Sequence, residues 1–199
     1  MKTLLSTELA PQRPRYKREQ AELEGHLLEP AWSGTRALVR VGHEAPHFLG
    51  YEGEVTAARE LFEAISAEAR CVTAIIDGVL VDDWQDEHDL EVDPEGNAFI
   101  RRIGPRQVFV AFDLLEVDGD PLLRVPLLER KRHLEGVLVP SRNVRLSAYV
   151  TRGLRQWRDT LASQGFGRVL LKDWNSAYAP GETNDSWLVV EKIKGERVQ

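Results

Sequence analysis

Two hydrophobic periodicities alternate along this chain, and together they predict a mixed fold. Arg36-Ala37-Leu38-Val39-Arg40-Val41-Gly42 alternates polar with apolar residues and stops at glycine, which predicts a strand. Val55, Ala58, Leu61, Phe62, Ile65 and Ala69 recur at three- and four-residue steps, so residues 54–69 read as an amphipathic helix. Val72-Thr73-Ala74-Ile75-Ile76-Asp77-Gly78 and the run from Val108 to Leu115 are β-branched or aromatic and read as buried strands, the second ended by Asp118-Gly119-Asp120. Pro126 can open a helix that Leu127, Leu128, Lys131, Leu134 and Val137 continue. Thr151 is placed to cap a third helix through Leu154, Trp157 and Leu161, and 168–172 and 187–193 supply the last strands. The order is mixed and unrepeated, so the expected class is α+β. Residues 7–20 are polar and hold Pro11 and Pro14, which predicts a lead-in that stays mobile or wraps the surface, with folded structure from about Glu22.

Composition narrows the picture. With 199 residues, 42% hydrophobic and 29% charged, the chain suits one globular domain rather than a disordered or coiled-coil protein. No run approaches the roughly 18 apolar residues of a membrane span, and Met1 to Ser6 is too short for a signal peptide. Cys71 is the one cysteine and reads as a buried small hydrophobe, which suits a reducing cytoplasm. The formal charge is −6, yet residues 1–20 carry a net of +3, which leaves −9 on the rest. An acidic body disfavours broad contact with a phosphate backbone, although Arg13, Arg15, Lys17 and Arg18 could touch one locally. Residues 82–95 collect eight carboxylates with no Lys or Arg, and their spacing predicts a solvated loop or hairpin rather than a calcium loop. His43 and His47 are four apart but flank Pro46 and lack a companion cysteine, so no metal site is expected of them.

Four short motifs carry a resemblance. Glu29-Pro30-Ala31-Trp32-Ser33-Gly34-Thr35-Arg36, Ile76-Asp77-Gly78-Val79-Leu80-Val81, the segment Val110 to Leu115 with Asp118-Gly119, and Lys172, Tyr178, Pro180, Gly181, Trp187 and Leu188 follow one another in order. Their spacing resembles the adenylation domain of ATP-dependent DNA ligases and related covalent nucleotidyltransferases over about 22–194. The resemblance implies the DNA ligase/mRNA capping enzyme type of fold, with two mainly antiparallel sheets, flanking helices and a central cleft.

The same alignment implies losses. Ala31 stands where the family has the lysine that attacks the α-phosphate of ATP, and a methyl group has no lone pair for that step. Ser33 replaces the motif's aspartate, Tyr51 an arginine, Val79 a glutamate, and Gly167 a metal-binding glutamate; Val189 and Glu191 take the places of two phosphate-binding lysines. If 187–193 is a regular strand, Lys192 and Lys194 point away from 189 and 191. What the resemblance retains is Glu29 near the adenine amine, Phe112 as the stacking ring, Arg36 on the sugar and Lys172 as a remaining cation. Each has a plainer reading: Phe112 as a core aromatic, Glu29 and Arg36 as surface or salt-bridged residues, Lys172 as a carboxylate's partner.

The charge count marks 1–20 as a basic N-terminal segment that can stay mobile, and the resemblance implies a ligase-like domain at 21–199 and no oligonucleotide-binding barrel. It also implies a catalytically inactive adenylation domain that serves as a binding or scaffold module in DNA repair, with a protein partner or, more weakly, DNA. No cofactor and no magnesium are expected, while weak ATP or AMP binding is allowed. The alternative is an active ATP-dependent adenylyltransferase or ligase that uses a displaced lysine, Lys172, Lys192 or Lys194, and a partner's barrel.

Overall fold

In a computed structural model the described residues are 9–20, 22–42, 47–83, 88–92, 98–102 and 106–193, without the side chains of 47, 88–92 and 98–102. The strands and helices follow in the order β1 (Arg13–Gln20), β2 (His26–Pro30), β3 (Thr35–Val41), β4 (His47–Leu49), α1 (Arg59–Glu68), β5 (Ala74–Asp83), β6 (His88–Val92) and β7 (Ala98–Arg102). After these come β8 (Arg106–Val117), β9 (Asp120–Pro121), α2 (Leu127–Val137), β10 (Val144–Leu146), α3 (Leu154–Ser163), β11 (Val169–Asp173) and β12 (Thr183–Ile193). Two sheets face each other. One has the order β1-β12-β11-β2, the other β10-β8-β5-β3-β4, and most pairings are antiparallel except β1 with β12 and β10 with β8. The class is α+β.

Each layer has its own apolar cluster. Phe109, Leu114 and Ile76 join Leu61, Ile65 and Leu134 of α1 and α2 on the outside of the larger sheet. Leu27, Leu38, Phe112, Leu115 and Trp187 fill the space between the sheets. Leu28, Leu171, Leu188 and Val190 pack on Leu154 and Leu161 of α3. The strict alternation of β12 explains this division: Trp187 faces the larger sheet while Leu188 and Val190 face α3. Among the described residues no helix is long and apolar enough to cross a membrane.

Several expectations need correction. Residues 13–20 are not a mobile lead-in but β1, an edge strand along β12. No residue of β1 is buried, so the strand lacks an apolar alternation and its polar sequence hides it, and Pro14 is tolerated on this edge beside a register shift between Pro14 and Arg15. Thr151 does not cap α3; Gly153, left-handed at φ 63°, precedes Leu154. Cys71 is half-buried rather than buried. The acidic stretch agrees with the hairpin reading: it contains the end of β5 and all of β6, which pairs antiparallel with β7, while 84–87 and 93–95 lie outside the described residues. His43 and the His47 side chain also lie outside them.

Candidate functional site

Between the sheets lie two adjoining cavities of 550 Å³ and 930 Å³. They share Ala31, Trp32, Gly34, Thr35 and Val189. Arg36, Tyr51, Val79 and Phe112 line the first, and Ser33, Gly167 and Arg168 line the second. The fold thus gathers six of the altered motif positions and two of the retained ones onto one surface, although they are scattered from 31 to 189. Two motif glycines are required for packing. A Cβ at Gly34 would collide with the Leu80 carbonyl, and one at Gly78 with the Phe109 ring.

Glu29 and Lys172 do not line the cleft. Glu29, on β2, and Lys172, on β11, are completely buried beneath it. Lys172 Nζ lies 2.9 Å from Glu29 Oε2, and Lys131 of α2 pairs with Oε1 of the same carboxylate. Lys131 Nζ also donates to the Phe112 carbonyl at 3.0 Å. Burial pushes the Glu29 carboxyl up, but the two ammonium groups outweigh it and hold it below its ordinary value. One carboxylate facing two lysines leaves an excess positive charge within this cluster.

Burial has the largest effect on the Lys172 ammonium and lowers it from 10.5 to about 8, against the pull of Glu29 and with help from Lys131 and Arg36. The unfolded chain then holds a proton that the native protein has released between those values. Stability from this site therefore rises with pH through that window, and below it the full cost of the buried charge is present. In thermal unfolding across about pH 8 to 9.5, the native protein should gain stability relative to Lys172→Met. A relative loss would put the shift on the wrong side.

Arg36, on β3, is held by Asp77 of β5 in a two-pronged pair, Nε to Oδ1 at 2.7 Å and Nη2 to Oδ2 at 2.6 Å. Burial opposes its charge, yet Asp77 raises its pKa. The Tyr178 hydroxyl donates to Asp77 Oδ2 at 2.7 Å and accepts from the Gln12 backbone N–H at 2.8 Å. This guanidinium lies 4.2 Å from the centre of the Phe112 ring, and Lys172 Nζ lies 4.0 Å from it. Phe112 is 2% exposed and meets Trp187 edge to face at 6.1 Å. The plainer readings thus describe these four residues well: Phe112 is a core aromatic, and Glu29, Arg36 and Lys172 sit in ion pairs. None of the three charged groups is a surface residue.

Glu191 lies off the cleft, 3.6 Å from Arg168. Lys192 is exposed on the opposite side of its strand, and Lys194 lies outside the described residues. The basic residues of β1 are dispersed. Arg15 and Lys17 both reach Asp185, at 3.0 and 3.8 Å, Arg13 stacks on Tyr51 at 4.9 Å, and Arg18 is exposed. Gly167, at the position assigned to metal ligation, and Val79, at the position of another glutamate, supply no side-chain oxygen, and among the described residues no three His, Cys, Asp or Glu side chains converge on a point that would suit a cation. These residues do not fit magnesium.

Sequence reasoning missed Lys131, Asp113, Arg130 and Gln12 as buried polar groups of this region. Arg130 and Asp113 form a second two-pronged pair, both fully buried. The available signal was Lys131 itself, a lysine at a core-facing step of an amphipathic helix.

The profile of the ATP dependent DNA ligase domain matches residues 16–194. The chain belongs to that family. This ligase-type adenylation domain is 29% identical over 181 residues to the multifunctional non-homologous end joining protein LigD of Mycolicibacterium smegmatis, covering 87% of this chain and 22% of that protein. It is 30% identical over 146 residues to a DNA ligase of Methanothrix thermoacetophila, covering 67% and 26%. The chain therefore spans about a quarter of the length of these relatives. Among solved structures, mycobacterial DNA ligase D complexed with ATP and MES superimposes with a TM-score of 0.68 at 24% identity, over 92% of this chain and 60% of that one. That likeness establishes the fold.

Proposed function

We propose that this ligase-type domain is catalytically inactive and works as a binding or scaffold module in DNA repair, its main partner another protein and its contact with DNA weak. The observation that carries the reading is the chemistry of the cleft wall. Ala31 occupies the wall at the position of the attacking lysine, and no lysine is among the described lining residues. Phosphoramidate formation needs an amine with an available lone pair. The two buried amines, Lys131 and Lys172, are 2% and 0% exposed and are engaged with Glu29. The end-joining relative supports the repair context, and the lack of carboxylates at Val79 and Gly167 argues against magnesium. Weak binding of ATP or AMP without activation is compatible with this reading.

The test is incubation of the purified protein with labelled ATP and Mg²⁺ or Mn²⁺. No adduct is expected. A stoichiometric, amine-linked AMP would overturn the proposal.

One observation favours the active alternative: burial lowers the Lys172 ammonium from 10.5 to about 8. Its complete burial and its pairing with Glu29 oppose that role. If an adduct forms, Lys172→Ala, Lys192→Ala and Lys194→Ala, made singly, identify the lysine responsible.

Ala31→Lys alone is expected to leave adenylation undetectable. Groups that act together are lost together, and Val79, Gly167, Val189 and Glu191 still provide neither metal ligand nor countercharge. AMP transfer by this variant at a ligase-like rate would mean that one substitution accounts for the whole loss.

A further inference from the structure

We propose that β1 is a docking edge, to which an acidic, extended segment of a partner protein adds as a fifth strand of the smaller sheet. This gives the scaffold reading its partner chemistry and rests on that reading. β1 ends the order β1-β12-β11-β2, and no residue of it is buried. A strand paired on one side only presents a row of N–H and C=O groups on the other. The other edges of the two facing sheets are short or crossed. Val150 exchanges backbone hydrogen bonds with Leu28 of β2 at 2.9 and 3.1 Å, the Val55 N–H donates to the Phe48 carbonyl of β4 at 2.7 Å, and β10 has three residues. Among the described residues no strand lies along the outer side of β1, which runs for eight residues.

The side chains of β1 select what can lie there. Arg15 and Lys17 both reach Asp185, so they share one face. Tyr16, 52% exposed, is on the other face, where Arg168 lies 5.7 Å from its ring, and the period of two puts Arg18 beside it. Around the middle of the strand, Arg15, Lys17, Arg18 and Arg168 thus meet two carboxylates, Asp185 and Glu191. The remaining charges stand at its ends. At one, Arg13 is turned to Tyr51 and its N–H donates to the Glu182 carbonyl; at the other, Glu19 is opposite Lys192, and Glu22 follows. A second β1 would be repelled from the middle, whereas an acidic strand is attracted to it. The pairs already made there are open to water, so they are weak and yield to a competing carboxylate.

A nucleic-acid backbone matches this edge less well, because its phosphates follow one line while the cations of β1 point alternately to the two faces of the sheet. An added strand alternates in the same way. Opposite Arg15 and Lys17 it carries carboxylates, and opposite Tyr16 an apolar or aromatic side chain. Its backbone also satisfies the open row of N–H and C=O groups, which phosphates satisfy only in part.

The test is binding of a short fluorescent peptide that alternates glutamate with valine, followed by anisotropy with the full chain at low salt. It should bind, and Arg15→Glu with Lys17→Glu should weaken it about tenfold, since two modest attractions become repulsions, while the thermal midpoint stays near that of the parent. Two N-methylated forms of the peptide separate strand addition from attraction of charge alone. Methylation of the alternate amides that face β1 should abolish binding, and methylation of the other set should leave it intact. The inference fails if the glutamate peptide does not bind, if the same peptide with lysine for glutamate binds as well, if the two methylated forms behave alike, or if the charge reversals leave binding unchanged. Displacement of the peptide by an equal concentration of a DNA duplex would make the edge a nucleic-acid site, and a dimer in sedimentation that the charge reversals dissolve would assign it to a second copy; either result overturns the proposal. Failure of the peptide to bind a protein that forms no AMP adduct sinks this inference alone, whereas an adduct sinks the scaffold reading beneath it.

Discussion

Glu29→Gln should lower the stability of the domain by about 3–5 kcal/mol, as expected when one partner of a buried ion pair is removed. The reason is the two-to-one arrangement around this carboxylate. Lys131 and Lys172 both pair with it, and neither is more than 2% exposed. Replacing the carboxylate with an amide of nearly the same shape keeps the packing but leaves two ammonium groups facing each other out of water. Lys172→Met has a different result. It leaves Glu29 and Lys131 as a neutral pair and puts an apolar stem among Phe112 and Trp187, whose rings now sit 4.0 and 3.9 Å from the ammonium. Its cost should therefore be clearly smaller than that of Glu29→Gln. Urea unfolding of the two variants measures the difference, and equal losses would mean that the cluster around Glu29 holds no excess positive charge.

That arrangement also marks how far the sequence could be read. Strands β5 and β8 and helix α2 were legible because burial leaves a periodic apolar signature in local sequence. The positions lining the cleft were legible because their spacing matches a family pattern. The strand β1 was not, since an edge strand with no buried residue resembles a loop. The ion pairs were legible only as possibilities. Glu29 meets Lys131 and Lys172 across more than a hundred residues of chain, and Arg36 meets Asp77 across 41, so no local pattern distinguishes a buried partner from a surface charge. Burial decides what these residues do, and burial is a property of the assembled sheets. The same fact separates retained spacing from retained chemistry. Gly34 and Gly78 are held by close packing against Leu80 and Phe109, which a domain needs whether or not it transfers AMP.

Asp77→Asn should be comparably damaging, again about 3–5 kcal/mol, because it leaves the Arg36 guanidinium buried without its counterion. Asp77 is the hub of the cleft floor. It accepts both prongs of Arg36 and the Tyr178 hydroxyl, and through Tyr178 it fixes the backbone of Gln12 just before β1. Burial, followed by the charge of Asp77, holds the Tyr178 hydroxyl well above its ordinary pKa, so it remains a proton donor at neutral pH. An asparagine retains one acceptor for these donors and no charge. The decisive comparison is with the double variant Asp77→Asn, Arg36→Met, which removes the stranded cation and places an apolar side chain against Phe112. If the loss in Asp77→Asn arises from an uncompensated charge, the double variant should recover much of it, because a buried pair exchanged for apolar packing is often close to neutral. Denaturant unfolding of both single variants and the double closes the cycle. Losses that simply add would locate the damage in packing around Phe112 and Tyr178 rather than in the pairing of charge.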